Sequence, residues 1–115
     1  GICCLYPQRK NLSENIKVIS IIGHFLEHSR IFWFCNNGNN EVFIGSADWM
    51  RRNLDRRIEA VTPIEDYELK SNIYSLLQTY IKDDYFSWIM KEDGSYAKYE
   101  LDSSDNRSQI DFIKN

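Results

Sequence analysis

The sequence has 115 residues, of which 43% are hydrophobic and 14% aromatic, and its formal net charge is −3 at pH 7. This composition predicts a single globular domain over residues 1–115 and excludes a disordered or fibrous chain. The longest apolar run, from Val18 to Ile22, is interrupted by Ser20 and is far too short to cross a bilayer, which excludes a membrane-spanning segment.

Strands dominate the prediction for the first 45 residues. A short apolar strand over residues 1–5 is followed by a polar loop that starts at Pro7. Residues 15–22 alternate and then become continuously apolar, which is typical of a strand buried on both faces. We expect no more than a short helical turn between Gly23 and His28.

A hairpin is predicted next. Residues 30–35 and 41–45 form its strands, and residues 36–40 join them with Asn and Gly residues that tolerate positive φ angles. Residues 57–61 are predicted as a further strand, closed by Pro63. We expect the large aromatic side chains of this region to lie in the core: Phe32, Trp33, Phe34 and Trp49.

The second half of the sequence predicts helices and one more hairpin. A helix is expected from about Glu65 to Lys82, with the acidic residues at its start suited to the positive end of the helix dipole. Strands over residues 85–90 and 96–101 flank an Asp-Gly turn, and a last short helix is expected after Ser103. The helix presents one apolar face: Leu69, Ile73, Leu76, Leu77, Tyr80 and Ile81. Together these elements predict an α/β (α+β) fold of one mixed sheet with flanking helices.

The cysteines and the N-terminus indicate the cellular context. Cys3, Cys4 and Cys35 are odd in number and two are adjacent, which makes a poor disulfide framework and favours a reducing cytoplasm. No ligand spacing for zinc is present, so we predict no metal site and interpret Cys3 and Cys4 as strand residues. The chain lacks an initiator Met and a signal-peptide pattern, so we expect a piece of a longer protein.

Charge is distributed unevenly along the chain. Residues 1–60 hold eight Lys and Arg against six Asp and Glu, whereas residues 61–115 hold six against eleven. Four arginines fall within residues 51–57, which predicts an anion-binding surface in the first half. Nothing in this pattern favours a nucleic-acid partner.

Three features of the first half suit phosphoryl chemistry. His28 and Arg30 precede a strand, Gly45 and Ser46 end the next one, and the arginine-rich segment follows. An imidazole can attack phosphorus or carry a proton near neutral pH, and guanidinium groups bind phosphate oxygens in a bidentate way. Each feature alone is weak, because a histidine before a strand is more often structural. His24 would share a helical face with His28, but without a third ligand we interpret it as a surface or capping residue.

Two nested family resemblances follow from these residues. The broader one is to the phospholipase D superfamily, whose motif is H-x-K, a later Asp and G-S-x-N. His28, Arg30, Gly45, Ser46 and Asp48 match it loosely, with Arg for Lys and Asp for Asn, while a cysteine at position 35 stands in place of the Asp. The closer resemblance is to the C-terminal domain of bacterial polyphosphate kinase, through the segments GICCL, LSENIKVISIIG, FLEHSRI, VFIGSADWM and RNLDRRIE. It covers residues 1 to about 64 strongly and the remainder in outline.

The closer resemblance implies a phospholipase D-like mixed sheet with flanking helices, and a specific activity. The family transfers the terminal phosphate of ATP reversibly to inorganic polyphosphate through a phosphohistidine, which belongs to a preceding domain outside this chain. His28 corresponds to the family's second essential histidine, which contacts nucleotide phosphates and is suited to proton transfer. An arginine immediately before the first glycine would also bind phosphate. Tyr6 and His24 stand where many members have Arg, so we expect less positive charge near the phosphates.

We therefore expect His28 as the catalytic residue, with ATP and phosphate bound by His28, Arg30, Ser46, Arg52 and Arg57. Mg²⁺ is expected to arrive with the nucleotide, its ligands lying outside this chain. Expected partners are ATP, ADP, polyphosphate and the other domains of the polypeptide, with homo-oligomers formed by the full-length protein. The predicted location is cytoplasmic, with peripheral membrane attachment left open. Two alternatives are a phospholipase D-type phosphodiesterase half-site and a non-catalytic module for polyanion binding or oligomerisation.

Overall fold

The protein is represented by a computed structural model that describes residues 3–99 and 105–114. Its chain divides into two compact units, the first made of residues 1–26 and 77–115 and the second of residues 27–76. Within the described ranges, no helix is long and apolar enough to cross a membrane. Parts of the strands predicted at residues 1–5 and 96–101 lie outside the described residues.

The second unit is built on a three-stranded antiparallel sheet in the order β2-β3-β4. Strand β2 (Ile31–Phe34) and strand β3 (Glu41–Gly45) form the predicted hairpin. A 3-10 turn (Asn36–Gly38) joins them, and its three residues have φ angles of 34°, 52° and 91°. Because asparagine and glycine adopt positive φ most readily, this segment of the sequence specifies the turn.

Strand β4 (Val61–Ile64) and helix α1 (Arg51–Arg56) differ from the predicted pattern. The strand begins at the end of the predicted range 57–61 and continues through Pro63. Proline is tolerated there because β4 lies at the edge of the sheet and is not obliged to donate on both sides. The ladder does not extend back to Ala60, since its N–H donates to the hydroxyl of Ser46 at 3.0 Å. The short helix was not predicted at all.

The first unit contains the other three-stranded antiparallel sheet, in the order β1-β5-β6. Strand β1 (Ile19–Ile21) is shorter than predicted, and β5 (Ser87–Met90) and β6 (Tyr96–Lys98) form the predicted hairpin around Gly94. Helix α3 (Ser108–Lys114) confirms the predicted C-terminal helix. Residues 3–5 form no strand, so the predicted N-terminal strand is wrong over its described part.

Helix α2 (Tyr67–Lys82) contributes to both units and confirms the prediction of a long amphipathic helix. The carboxylate of Asp66 accepts the N–H of Leu69 at 2.9 Å, which satisfies one of the free donors at the helix start. The α/β class is thus confirmed. The described strands, however, form two antiparallel sheets rather than one mixed sheet.

Few apolar side chains are fully buried among the described residues. Val42 and Ala47 are buried in the second unit, and Phe86 and Met90 in the first. The prediction of a uniformly buried aromatic cluster is wrong for Phe34 and Trp49, which are 50% and 73% exposed. Trp49 instead stacks on Phe32 with ring centroids 5.1 Å apart, so one of its faces remains open.

Candidate active site

The register of the β2-β3 hairpin brings two predicted site segments to one end of the sheet. Ile31 pairs with Ile44, and just beyond that pair the N–H of Gly45 donates to the carbonyl of Arg30 at 3.0 Å. The chain entering β2 therefore lies beside the chain leaving β3. His28 is exposed and lies in the irregular segment before β2, without the helical turn that the sequence allowed for.

At this end of the sheet, the side chain of Arg30 contacts both Asp48 and the backbone of His28. Its Nε donates to Oδ1 of Asp48 at 2.8 Å, and its Nη2 lies 2.7 Å from the same oxygen. The third nitrogen, Nη1, donates to the carbonyl of His28 at 3.2 Å. One guanidinium group therefore links the carboxylate after β3 to the backbone of the predicted catalytic histidine.

The environment of Asp48 keeps its carboxylate charged. The hydrogen bond from Arg30 lowers the pKa of Asp48, against partial desolvation, and the Coulombic interactions with Arg30 and His28 lower it further. Nδ2 of Asn53 also donates to Oδ2 of Asp48, at 3.5 Å. Asn53 is only 2% exposed, and its Oδ1 is buried without a hydrogen-bond partner among the described residues.

Ser46 is held by the segment that precedes β4. Its hydroxyl donates to the carboxylate of Glu59 and accepts the N–H of Ala60, while its own N–H donates to the Ala60 carbonyl at 3.0 Å. The side chain remains exposed. Ser46 is therefore held in position at the sheet end, with its hydroxyl proton donated to Glu59.

A groove of about 480 Å³ lies at the end of the sheet that carries Arg30 and Ser46. It runs across the ends of β2, β3 and β4, all within the second unit, and combines the polar ends of two strands with an apolar floor. The lining residues are Ser29, Arg30, Ile31, Ile44, Gly45, Ser46, Ala60 and Thr62. Two of the predicted phosphate ligands, Arg30 and Ser46, thus face the same groove, with His28 one residue beyond its rim.

The other predicted phosphate ligands lie on or after helix α1. Arg52 is exposed and lines a depression of about 440 Å³ together with Arg51, Asp55 and Arg56. Arg51 is paired with Asp55 at 3.0 Å along the helix. In the described part of the chain, Arg52 and the exposed Arg57 form no ion pair with a carboxylate. Their positive charges therefore remain available to an external anion.

Tyr6 and His24, which we expect to stand in place of arginines, make aromatic contacts in the first unit. The guanidinium of Arg9 lies 4.1 Å from the ring centroid of Tyr6. His24 packs edge-on against Phe86, with centroids 5.5 Å apart. Both side chains thus take part in local packing, and His24 is exposed, as expected of a surface histidine.

Sequence reasoning missed the partners of the predicted site residues. The pairing of Arg30 with Asp48 joins positions 18 residues apart, and that of Ser46 with Glu59 joins positions 13 apart. The sequence shows the opposite charges of Arg30 and Asp48, but only the register of the hairpin shows which side chains meet. Residues 3–99 and 105–114 contain no group of three or more His, Cys, Asp or Glu that could hold a metal ion, and all three cysteines are exposed free thiols.

Comparison with known proteins identifies the family. The family model for the polyphosphate kinase C-terminal domain 2 matches residues 1–109. A polyphosphate kinase of Parasynechococcus marenigrum is 55% identical over 99% of this chain and 16% of its own length. One of Pseudomonas aeruginosa is 44% identical over 92% of this chain and 15% of its own length.

A solved structure agrees with the sequence comparisons. The crystal structure of a polyphosphate kinase from Porphyromonas gingivalis superimposes with a TM-score of 0.89 and 38% identity, covering 99% of this chain and 18% of that protein. The chain thus spans roughly a sixth of the length of the curated relatives cited above. With a family model matched over nearly its whole length, this chain belongs to the polyphosphate kinase family, as its C-terminal domain 2.

Proposed function

We propose that this chain is the C-terminal catalytic domain of a polyphosphate kinase, which reversibly transfers the terminal phosphate of ATP to inorganic polyphosphate. The covalent phosphohistidine of this reaction would form on a preceding domain of the same polypeptide. The observation that carries the proposal is the 55% identity to a polyphosphate kinase over 99% of the chain. The exposed histidine beside a groove with Arg30 and Ser46 supports it.

His28 is the proposed catalytic residue, in contact with nucleotide phosphates and able to move a proton. Neutral imidazole accepts a proton near physiological pH, and imidazolium donates one or pairs with a phosphate oxygen. Its exposure leaves the ring accessible to substrate. Its backbone carbonyl accepts a hydrogen bond from Nη1 of Arg30, which restrains the backbone that carries the ring.

The phosphate chain is proposed to bind to the groove and to the arginines after it. The Ser46 hydroxyl would donate to a phosphate oxygen in place of Glu59. Arg30 contributes a positive charge that is partly neutralised by Asp48. Arg52 and Arg57 would supply the stronger attraction because no carboxylate among the described residues neutralises them. Guanidinium groups remain charged at all relevant pH values and bind phosphate oxygens in pairs.

Mg²⁺ is proposed to enter with ATP, as part of the substrate. Mg²⁺ prefers carboxylate oxygens and substrate phosphates as ligands. The described residues hold no three-residue cluster suited to a metal ion, so the nucleotide phosphates and other parts of the polypeptide would complete its coordination.

Proposed partners are ATP, ADP, polyphosphate and the other domains of the same polypeptide, in a cytoplasmic homo-oligomer. The surface supports domain contacts, because several large apolar side chains are more than half exposed in the second unit alone. These are Trp49, Leu54, Ile58, Val61, Tyr67 and Leu69. Exposed apolar patches are typical of protein interfaces.

The test uses the full-length protein that contains this chain. Incubation with γ-labelled ATP should give acid-labile phosphate on the polypeptide and then labelled polyphosphate, with no stable label on the peptide that carries His28. Label recovered stoichiometrically on His28 would contradict the assignment of the phosphohistidine to a preceding domain. Phosphodiester hydrolysis without transfer from ATP would instead support the phospholipase D-type alternative, and polyanion binding without turnover the non-catalytic one.

A further inference from the structure

We propose that Asp48 is a positioning residue for the catalytic histidine, acting through Arg30. This inference rests on the proposed function of His28. The contact chain is continuous, from Asn53 to Asp48, from Asp48 to Arg30, and from Arg30 to the carbonyl of His28. Asp48 is not among the residues that line the groove.

The geometry of Arg30 supports a bracing role. Two of its nitrogens approach one carboxylate oxygen at 2.7 and 2.8 Å, which fixes the plane of the guanidinium group. The remaining terminal nitrogen then points at the His28 carbonyl, 3.2 Å away. The side chain of Arg30 is only 20% exposed, so its orientation is set by the protein.

The need for such a brace follows from the local backbone. His28 lies in an exposed segment without helix or strand, where a backbone has few contacts to hold it. Arg30 anchors that segment by both its side chain and its carbonyl, which accepts the N–H of Gly45. Asp48 holds the side chain of this anchor, and buried Asn53 on α1 holds Asp48.

The negative charge of Asp48 allows a positioning role to be distinguished from phosphate binding. A carboxylate beside a polyanion groove weakens long-range attraction for phosphate, so Asp48→Asn should not raise the KM for polyphosphate. Loss of positioning should nevertheless lower kcat, because misplacement of a catalytic group by about 1 Å can cost about 10²-fold. A fall in kcat without a rise in KM separates positioning from phosphate binding.

The experiment is a double-mutant cycle in the full-length enzyme with Arg30→Gln, Asp48→Asn and the combined variant. If Asp48 acts through Arg30, the combined variant should have a kcat no lower than the worse single variant. Asp105→Asn is the matched control, because it removes the same charge from the Arg107–Asp105 pair, which lies outside the proposed phosphate site, and should leave kcat unchanged. Multiplicative losses, a normal kcat for Asp48→Asn, or an equal loss for Asp105→Asn would overturn the proposal.

Hydrogen exchange supplies a readout that does not depend on activity. The Gly45 amide donates to the Arg30 carbonyl, so both single variants should accelerate its exchange, whereas amides of residues 87–90 serve as a folding reference. Unchanged exchange at Gly45 overturns the positioning role even if the enzyme is active. If the wild-type parent makes no polyphosphate but the two variants still accelerate exchange at Gly45, the positioning role is supported and the proposed function is refuted. The two failures are therefore distinguishable.

Discussion

The hydroxyl of Ser108 donates to Oδ2 of Asp83 at 2.6 Å, and the N–H of Ser108 donates to the same oxygen at 2.8 Å. The other carboxylate oxygen accepts the N–H of Phe86 at 2.8 Å and the hydroxyl of Ser87 at 3.4 Å. Asp83 is 0% exposed. One buried carboxylate therefore joins the residue after α2 to the start of α3 and to the segment entering β5.

Asp83→Ala should destabilise the first unit by about 3 kcal/mol or more, because each buried donor left without a partner costs about 1–3 kcal/mol. Hydrogen exchange of peptides covering residues 83–90 and 105–114 measures the loss. Asp55→Ala is the control, since its exposed pair contributes about 0.5 kcal/mol or less. Equal effects of the two substitutions would contradict this role of Asp83.

The side chain of Gln109 leaves no room for a Cβ atom at Gly23. A Cβ at this position would lie 2.2 Å from Oε1 of Gln109. That oxygen accepts the N–H of Phe25 at 3.0 Å, and Nε2 of Gln109 donates to the Phe25 carbonyl at 2.8 Å. Gly23→Ala should displace the amide and cost about 2 kcal/mol, about 1 kcal/mol for each hydrogen bond.

The prediction for Gly23 is tested by removing the side chain of Gln109. In a Gln109→Ala background the added methyl group meets no amide, so Gly23→Ala should cause little further loss of stability. Thermal melting of both single variants and the double variant gives the comparison. Additive losses in the double variant would refute the proposed clash.

The Arg30–Asp48 pair should make stability depend on acidic pH. Because the pKa of Asp48 is lowered in the folded protein, chiefly by Arg30, the stabilisation is fully present above the unfolded pKa of about 3.9. It is lost as the pH falls through the lower, folded pKa. The stability advantage of the wild type over Asp48→Asn should therefore be constant near neutral pH and shrink below about pH 4. If the wild type keeps the same stability advantage over Asp48→Asn below about pH 4, the lowered pKa of Asp48 would be contradicted.

Arg52 and Arg57 should dominate polyphosphate binding. Arg57→Gln and Arg52→Gln should each weaken affinity, since a charge-assisted hydrogen bond contributes about 1.5–3 kcal/mol before entropy is counted. The affinity should also fall as salt rises because exposed charges are screened. Titration calorimetry at several salt concentrations measures both effects. Arg107→Gln is the control, because Arg107 is already paired with Asp105 at 2.8 Å, and a loss as large as that for Arg57→Gln would count against a specific site.

Much of the fold could be predicted because its signals are local. The hairpin at β2-β3 follows from two short apolar runs around a turn rich in Asn and Gly, and α2 follows from its apolar face and its acidic start. Helix α1 was missed because six residues are too few for a periodic signal and Met50 offers no capping side chain. The exposure of Trp49 was missed because aromatic content alone does not indicate which face a partner covers.

The candidate site could be predicted only in its residue types. His28, Arg30 and Ser46 follow from their positions around the hairpin, but the sequence does not indicate that Arg30 is engaged by Asp48. The division of the strands into two antiparallel sheets could not be predicted either. It depends on contacts between distant segments, such as the pairing of Ile19 with Ile89. Such pairings are set by tertiary packing and carry no local sequence signature.

The most direct test is the turnover of His28→Gln and His28→Ala in the full-length enzyme, measured beside their thermal melting. If His28 moves a proton during phosphate transfer, both variants should melt like the wild type, because the side chain is exposed. Their rate of polyphosphate synthesis should fall by about 10²–10⁴-fold, the usual scale of general acid–base catalysis. Turnover within a few fold of the wild type, with a lowered melting temperature, would contradict a catalytic role and make His28 a structural residue.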